Sequence, residues 1–187
     1  MNKILEIEKV KFTIEGHSDS VDAIALTPDG KTVIAGSGDG TIKVWDLETG
    51  EIEFTLEGHS SWVTEIAITP DGKTVISGSW DNTIKIWDLE TRKEKFTFKG
   101  HSGWVKAIAV TPSRINSTSP VFKSQILIVL LSPEPEISVL PSGVTERAVN
   151  RDGQTVISGS DDNTIKIWNL ETGRKKFTFK GHSHYDL

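Results

Sequence analysis

Three residue types that together can form a hydrolase triad recur along this sequence at fixed distances. The three sets are His17, Ser37 and Asp39; His59, Ser79 and Asp81; and His101, Ser160 and Asp162. A converging Ser, His and Asp can activate the serine hydroxyl for acyl transfer. A catalytic set occurs once, in a cleft, whereas these sets follow a structural period. We therefore expect them to be structural and the chain not to be an enzyme, with a hydrolase using Ser79, His59 and Asp81 as the alternative.

The period is that of an internal repeat, which is the strongest signal in the sequence. Gly-His pairs begin at residues 16, 58 and 100, and Trp-Asp pairs begin 42 residues apart, at 45 and 87. Residues 16–57 and 58–99 are identical at 27 of 42 positions. The third Trp, Trp168, comes 81 residues after Trp87, so the third unit carries an insertion of 39 residues.

Each unit contains four short segments rich in β-branched and aromatic residues, which predicts four β-strands, here called a to d. Thr69-Pro70-Asp71-Gly72 has the residues of a tight turn and should join strands a and b. The next loop, Trp80-Asp81-Asn82, suits a three-residue hairpin whose last residue is left-handed. That hairpin places Thr83, Lys85 and Trp87 of strand c on the same face as Val75, Ser77 and Ser79 of strand b.

A Gly-His to Trp-Asp unit of this length resembles the WD40 family of β-propellers. The resemblance implies an all-β fold: a partial WD40-type propeller with three four-stranded antiparallel blades and a 39-residue insertion in the third. The single array would cover residues 1–187, with blades at about 16–56, 58–98 and 100–180 and the insertion at about 113–151.

The resemblance also implies a polar network in each blade that links the turn before strand a, strand b, the b–c turn and strand c. The network members would be His17, Ser37, Asp39 and Trp45; His59, Ser79, Asp81 and Trp87; and His101, Ser160, Asp162 and Trp168. Ser79 is preferred over Ser77 because its position is serine in every unit, whereas the position of Ser77 is Ala35 in the first.

Three further tryptophans, Trp62, Trp80 and Trp104, fall in or next to the d–a and b–c turns, which share one rim of the array. In WD40 relatives this rim is the usual docking face, and Trp is enriched in interface hot spots. Their companions on the rim would be Ser20, Asp22, Gly38, Thr64, Lys106 and Asp161. The alternative is that these tryptophans only pad the turns against neighbouring blades.

Composition limits the remaining classes of function. A net charge of -5 and a pI near 5.6 argue against binding of nucleic-acid backbone as the main task. The sequence has no cysteine and no apolar run long enough for a membrane helix, so we expect a cytoplasmic protein without membrane contact. We expect no cofactor and no metal.

Three blades are fewer than the roughly four to eight of a typical propeller, so two end faces would stay uncovered. A second copy could complete the ring, or the chain could be a longer array cut short. The apolar run Ile126–Leu131 within the insertion would also need cover. The leading hypothesis is a non-catalytic scaffold that binds a protein or peptide on the d–a/b–c rim. The alternative is a truncated remnant of a larger WD40 regulatory protein without independent function.

Overall fold

The computed structural model describes residues 13–111 and 154–180, which form three four-stranded antiparallel sheets. The strands are β1 (Val21–Leu26), β2 (Thr32–Ser37), β3 (Ile42–Asp46), β4 (Ile52–Leu56), β5 (Val63–Ile68), β6 (Thr74–Ser79), β7 (Thr83–Asp88), β8 (Lys93–Lys99), β9 (Val105–Val110), β10 (Thr155–Ser160), β11 (Thr164–Asn169) and β12 (Lys175–Lys180). Each sheet is a meander of four consecutive strands, here called blades 1 to 3. Within the described ranges, no helix has the length and apolarity to cross a membrane.

The turns form where the turn residues predict them. In blade 2 the amide of Gly72 donates to the carbonyl of Thr69 at 2.8 Å, and Gly72 has a φ of 71°. The b–c turns end in a left-handed residue in every blade: Gly40 (φ 79°), Asn82 (φ 66°) and Asn163 (φ 60°). The predicted three-residue hairpin is therefore confirmed, and it sets the register of strands b and c.

That register decides which side chains share a face. In blade 2, Val75 lies opposite Trp87, and Ser77 lies opposite Lys85. Side chains that lie directly opposite each other point to the same side of an antiparallel pair. One face of each blade therefore carries the strand c tryptophan, and the other carries isoleucines such as Ile76 and Ile86.

Blade 3 assembles although its first two strands are far apart in sequence. Strand β9 pairs with β10 in the register that β5 and β6 use, with Val110 opposite Val156. The amide of Thr111 donates to the carbonyl of Thr155 at 3.0 Å, as that of Thr69 donates to Thr74 at 2.9 Å. Strands a and b are thus joined by the same terminal backbone hydrogen bond in both blades. The predicted insertion, 113–151, lies outside the described residues.

In the described residues, two large core clusters lie between neighbouring blades, and a smaller one in blade 1 contains Val33, Ala35 and Trp45. The isoleucine face of blade 1 packs on the tryptophan face of blade 2, where Trp87 is buried. The isoleucine face of blade 2 packs in the same way on blade 3, where Trp168 is buried. Each blade therefore covers the face of the next, as expected for a radial repeat.

Candidate functional site

A chain of hydrogen bonds ties the elements of blade 2 together. Nδ1 of His59 lies 2.7 Å from Oδ2 of Asp81, and Nε2 of His59 lies 2.7 Å from Oγ of Ser77. The indole Nε1 of Trp87 donates to the same Ser77 Oγ at 2.8 Å. The loop before strand a, the b–c turn and strands b and c are thus joined through four side chains.

The predicted assignment of Ser37, Ser79 and Ser160 to these networks is wrong. The hydroxyl of Ser79 accepts the amide of Asp81 at 3.0 Å and donates to the carbonyl of Ser61 at 3.2 Å, so it shapes the b–c turn. Ser37 and Ser160 accept the amides of Asp39 and Asp162 in the same way. The physical reason is distance. Along the tryptophan face of strand b, Val75 lies opposite Trp87, Ser77 is the next residue and Ser79 the one after that, and the indole Nε1 extends only as far as Ser77. The register of Trp87 opposite Val75, with Ser77 one row away, was the signal that could have identified Ser77.

One set of proton positions satisfies the whole network. Burial raises the pKa of Asp81, but hydrogen bonds from His59 and Thr83 outweigh burial and hold that pKa well below its usual range. The carboxylate therefore accepts the Nδ1 proton of His59, which leaves Nε2 to accept the Ser77 proton. Because the Ser77 oxygen in turn accepts from Trp87, no member is left without a partner.

Blade 3 has the same network with an added cation. His101 contacts Asp162 at 2.8 Å and Ser158 at 2.8 Å, and Trp168 donates to Ser158 at 2.8 Å. The buried Lys166 donates to Asp162 at 3.0 Å. Burial lowers the pKa of His101, so its ring is neutral at neutral pH. The ion pair of this network is therefore the one between Lys166 and Asp162.

Blade 1 lacks the central serine. Nδ1 of His17 lies 2.9 Å from Asp39, but Nε2 faces the carbonyl oxygen of Ala35 at 3.3 Å. The buried Nε1 of Trp45 has no hydrogen-bond partner among the described residues. Blade 1 therefore keeps the histidine–aspartate link and loses the link to strand c.

These sets do not have the geometry of a hydrolase. In the described part of the chain, the only serines bonded to these histidines are Ser77 and Ser158, which are buried, and each hydroxyl lies between an imidazole and an indole. Ser79 is also buried and has no hydrogen bond to His59 in the described structure. A substrate cannot reach any of these oxygens, so their hydrogen bonds hold the blades together.

The second candidate site is on the rim, where three tryptophans stack. The ring centroids of Trp62 and Trp80 are 4.6 Å apart with planes at 5°, and those of Trp80 and Trp104 are 4.2 Å apart with planes at 12°. We call these three residues the tryptophan ladder. Trp62 is 36% exposed and Trp104 is 44% exposed, whereas Trp80 lies half-buried between them.

Backbone hydrogen bonds set the spacing of the ladder. The amide of Trp80, in the b–c turn, donates to the carbonyl of Trp62, before strand a, at 3.0 Å. Trp104 occupies the place of Trp62 in blade 3, so the ladder spans the boundary between two blades. The ammonium of Lys106 lies 5.6 Å from the Trp80 centroid and 5.2 Å from the Trp104 centroid, and 3.5 Å from Asp161.

The other predicted rim residues behave differently from the ladder. Thr64 does not offer its hydroxyl to the rim: it is half-buried and donates to the carbonyl of Val105 at 2.7 Å, which links blades 2 and 3. Asp22 is exposed and accepts from Ser20 Oγ at 3.0 Å. No ring contact or ion pair joins Asp22 to the ladder in the described part of the chain.

Comparison with known proteins supports the repeat assignment. The family model for WD40 (WD domain, G-beta repeat) matches residues 8–46, 50–88 and 136–169, more than half of the chain. The Notchless protein homolog of Arabidopsis thaliana is 40% identical over 47 residues, which are 25% of this chain and 10% of that protein. The small ribosomal subunit protein RACK1y of Oryza sativa subsp. japonica is 43% identical over 42 residues, which are 22% of this chain and 12% of that protein.

A solved structure of the RRP9 WD40 repeats shares the fold. It superposes with a TM-score of 0.67 at 24% identity, over 90% of this chain and 41% of that chain. The chain thus spans about two fifths of that structure and about a tenth of the two curated relatives. With the sheets, the repeat and the family model in agreement, the chain belongs to the WD40 family of β-propeller repeat proteins.

Proposed function

We propose that this chain is a non-catalytic scaffold that binds a protein or peptide partner on the tryptophan ladder. Membership of the WD40 family supports a role in protein interaction, and the related proteins are WD-repeat proteins. The ladder is the observation that carries the choice of surface. Large apolar side chains are normally buried, so two exposed indoles in one contiguous stack need an explanation.

The stack is suited to docking because it is rigid before a partner arrives. Each indole is held by a neighbouring ring, and Trp80 is also fixed by its backbone bond to Trp62. A preorganised aromatic surface loses little conformational entropy on binding. Trp residues of this kind supply much of the affinity at interfaces.

The repeat also indicates which chemistry the partner offers. Along the rim, residues of a d–a turn and of a b–c turn follow each other in alternation: Trp62, Trp80 and then Trp104. The position before Trp62 belongs to the b–c turn of blade 1, where Gly38 is the equivalent of Trp80. The amide of Gly38 donates to the carbonyl of Ser20 at 2.9 Å, as that of Trp80 donates to Trp62. Blade 1 therefore has the backbone of a ladder position without its ring. A flat side chain of the partner, aromatic or guanidinium, would stack on Trp62 there.

A protein partner fits these residues better than a nucleic acid does. The only cation beside the ladder in the described residues, Lys106, is paired with Asp161, and Asp22 lies on the same rim position in blade 1. Phosphate binding would need several unpaired cations.

The test uses a displayed library of random peptides selected on the folded chain. Selected peptides should be rich in aromatic residues or arginine, and Trp62→Ala should weaken their binding at least tenfold, as expected for a hot-spot residue. Gly38→Trp should weaken it too, because the added indole would fill the position that the peptide ring needs. The matched control is Lys93→Ala, on the exposed start of strand β8, which should not change binding.

Two results would count against this proposal. Peptides that bind Trp62→Ala and the parent equally well would remove the ladder from the site. A folded chain that selects no peptide would favour the alternative, a remnant without independent function.

A further inference from the structure

The tryptophan face of blade 1 is exposed along strands β1 and β4 among the described residues, whereas Val33 and Trp45 between them are buried against Ile14 and Leu47. We call this the leading face; its apolar members are Val21, Ile24, Leu26, Val33, Trp45 and Ile52. Val21 is 55% exposed, whereas its equivalents Val63 and Val105 are 0% exposed. Ile24 is 68% exposed, whereas its equivalents in blades 2 and 3 are 6% exposed. The difference arises because blades 2 and 3 each have a preceding blade.

The isoleucine face of blade 3 is partly exposed among the described residues, although Ile167 on it is buried. We call this the trailing face; its members are Ile157, Ile165, Ile167, Phe177 and Phe179. Ile157 and Ile165 are half-buried, whereas the equivalent Ile76 and Ile84 of blade 2 are fully buried. Phe177 is half exposed. Apart from Trp62 and Trp104, all the exposed large apolar side chains of the described residues lie on these two end faces.

The chain contains the same blade-to-blade interface twice, between blades 1 and 2 and between blades 2 and 3. The trailing face and the leading face correspond to the two sides of that interface. Inside the array, the Ile76 face of blade 2 packs on Val105, Ile108 and Trp168 of blade 3. The trailing face repeats the first half with isoleucines at the positions of Ile76, Ile84 and Ile86. The leading face repeats the second half with Val21, Ile24 and Trp45.

A glycine in strand b shows how closely these halves fit. A methyl group on Cα of Gly36 would lie 2.5 Å from Val63, and one on Gly78 would lie 2.6 Å from Val105. The valine of the following blade therefore fills the space above each glycine. At the equivalent Gly159, a methyl group would meet only Ala107, at 3.7 Å, among the described residues. Within the described residues, the space over Gly159 is therefore free to take a valine, and Val21, the equivalent of Val63 and Val105, packs over no such glycine.

We propose that a second copy of this chain docks head to tail, with its leading face on the trailing face of the first copy. Val21 of one copy would enter the space over Gly159 of the other, as Val105 does over Gly78 within the chain. Two copies docked at both ends supply six blades, a number found in closed propellers. This contact is separate from the tryptophan ladder, which lies on the rim and not on either end face.

The first experiment is a cross-link that only this contact can form. The chain has no cysteine, so Val21→Cys with Gly159→Cys introduces one defined pair. In the internal interfaces, the Cβ of the valine lies 3.0 to 3.2 Å from the methyl position of the glycine, which is shorter than the about 3.5 to 4.5 Å of a disulfide, so the two chains would move apart by a few tenths of an ångström as the bond forms. Mild oxidation should join chains covalently in the double variant, and neither single variant should give the same yield.

The second experiment measures assembly by sedimentation velocity over a dilution series. The parent should sediment as more than one chain and dissociate on dilution, and Ile24→Glu should abolish the assembly. Gly159→Ala should weaken it at least tenfold, because the methyl has room in the single chain but not in the docked pair. Trp62→Ala with Trp104→Ala should leave the assembly unchanged, so the ladder and the end faces are tested separately.

A folded monomer at every concentration would overturn the proposal, since the end faces would then be covered from within the chain. Assembly that survives both Ile24→Glu and Gly159→Ala, with no cross-link in the double variant, would also overturn it. If Ile24→Glu fails to fold, the cross-link and Gly159→Ala still decide the question, because neither adds a charge to an apolar surface.

Discussion

Ala35→Ser should stabilise the protein by restoring a network that blade 1 lacks. The buried Nε1 of Trp45 has no acceptor among the described residues, and Nε2 of His17 faces a carbonyl oxygen. In blades 2 and 3 a serine ten residues before the tryptophan accepts from the indole at 2.8 Å and bonds to the histidine. The same spacing links Ala35 and Trp45, so the new hydroxyl should adopt that position.

The magnitude follows from the cost of an orphaned donor. Leaving a buried donor unsatisfied costs about 1 to 3 kcal/mol, so supplying an acceptor should raise the free energy of unfolding by about 1 to 2 kcal/mol. For a chain of this size, each kcal/mol raises Tm by about 2 to 4 °C. The assay is thermal and urea unfolding at one fixed protein concentration, since any self-association makes Tm depend on concentration. The Trp45 indole proton should also exchange more slowly with solvent.

A double-mutant cycle isolates the new bond. Trp45→Phe removes the indole N–H, so Ala35→Ser should stabilise that variant by less than it stabilises the parent. Ser77→Ala and Ser158→Ala should each destabilise by about 1 to 3 kcal/mol, because they create the defect of blade 1 in another blade. The reasoning is refuted if Ala35→Ser is no more stable than the parent, or gains equally in the Trp45→Phe background.

Three further predictions concern single residues of blade 2. Burial raises the pKa of Glu65 from 4.5 to about 7, so the stability of the folded chain should fall as pH rises from 4.5 to 7 and then level off. Glu65→Ala should remove this loss, worth about 1 to 2 kcal/mol once solvent screening of this partly exposed carboxyl is allowed for, in urea unfolding at pH 5 and pH 8. Asp81→Asn should destabilise by about 1 to 3 kcal/mol at neutral pH. Because the pKa of Asp81 is lowered in the folded state, that difference should shrink as pH falls below 3.8, and an undiminished difference at acid pH would contradict its charged role. Gly78→Ala should destabilise by about 1 to 3 kcal/mol, because its methyl would lie 2.6 Å from Val105, and an unchanged urea midpoint would show that the interface is looser than described.

The sequence by itself determines the blades of this protein. Strand alternation, the Pro-Asp-Gly and Asp-Asn turns and the 42-residue spacing are local properties, and local chemistry is sufficient to define a four-stranded meander. The b–c hairpin also follows from sequence, because Asn82 and Gly40 are residues that accept a positive φ. Even blade 3 could be predicted across its insertion, since its strands repeat those of blade 2.

Only the tertiary structure decides which side chains meet. Ser77 and Ser79 point to the same face of one strand, and the choice between them depends on how far the Trp87 indole reaches across the sheet. Thr64 lies on the rim by sequence, but the packing of blade 3 turns its hydroxyl to Val105. The stacking of Trp80 on Trp104 likewise joins two blades. Strand periodicity determines which face a side chain occupies, whereas a contact between blades depends on the distance and angle at which their sheets pack.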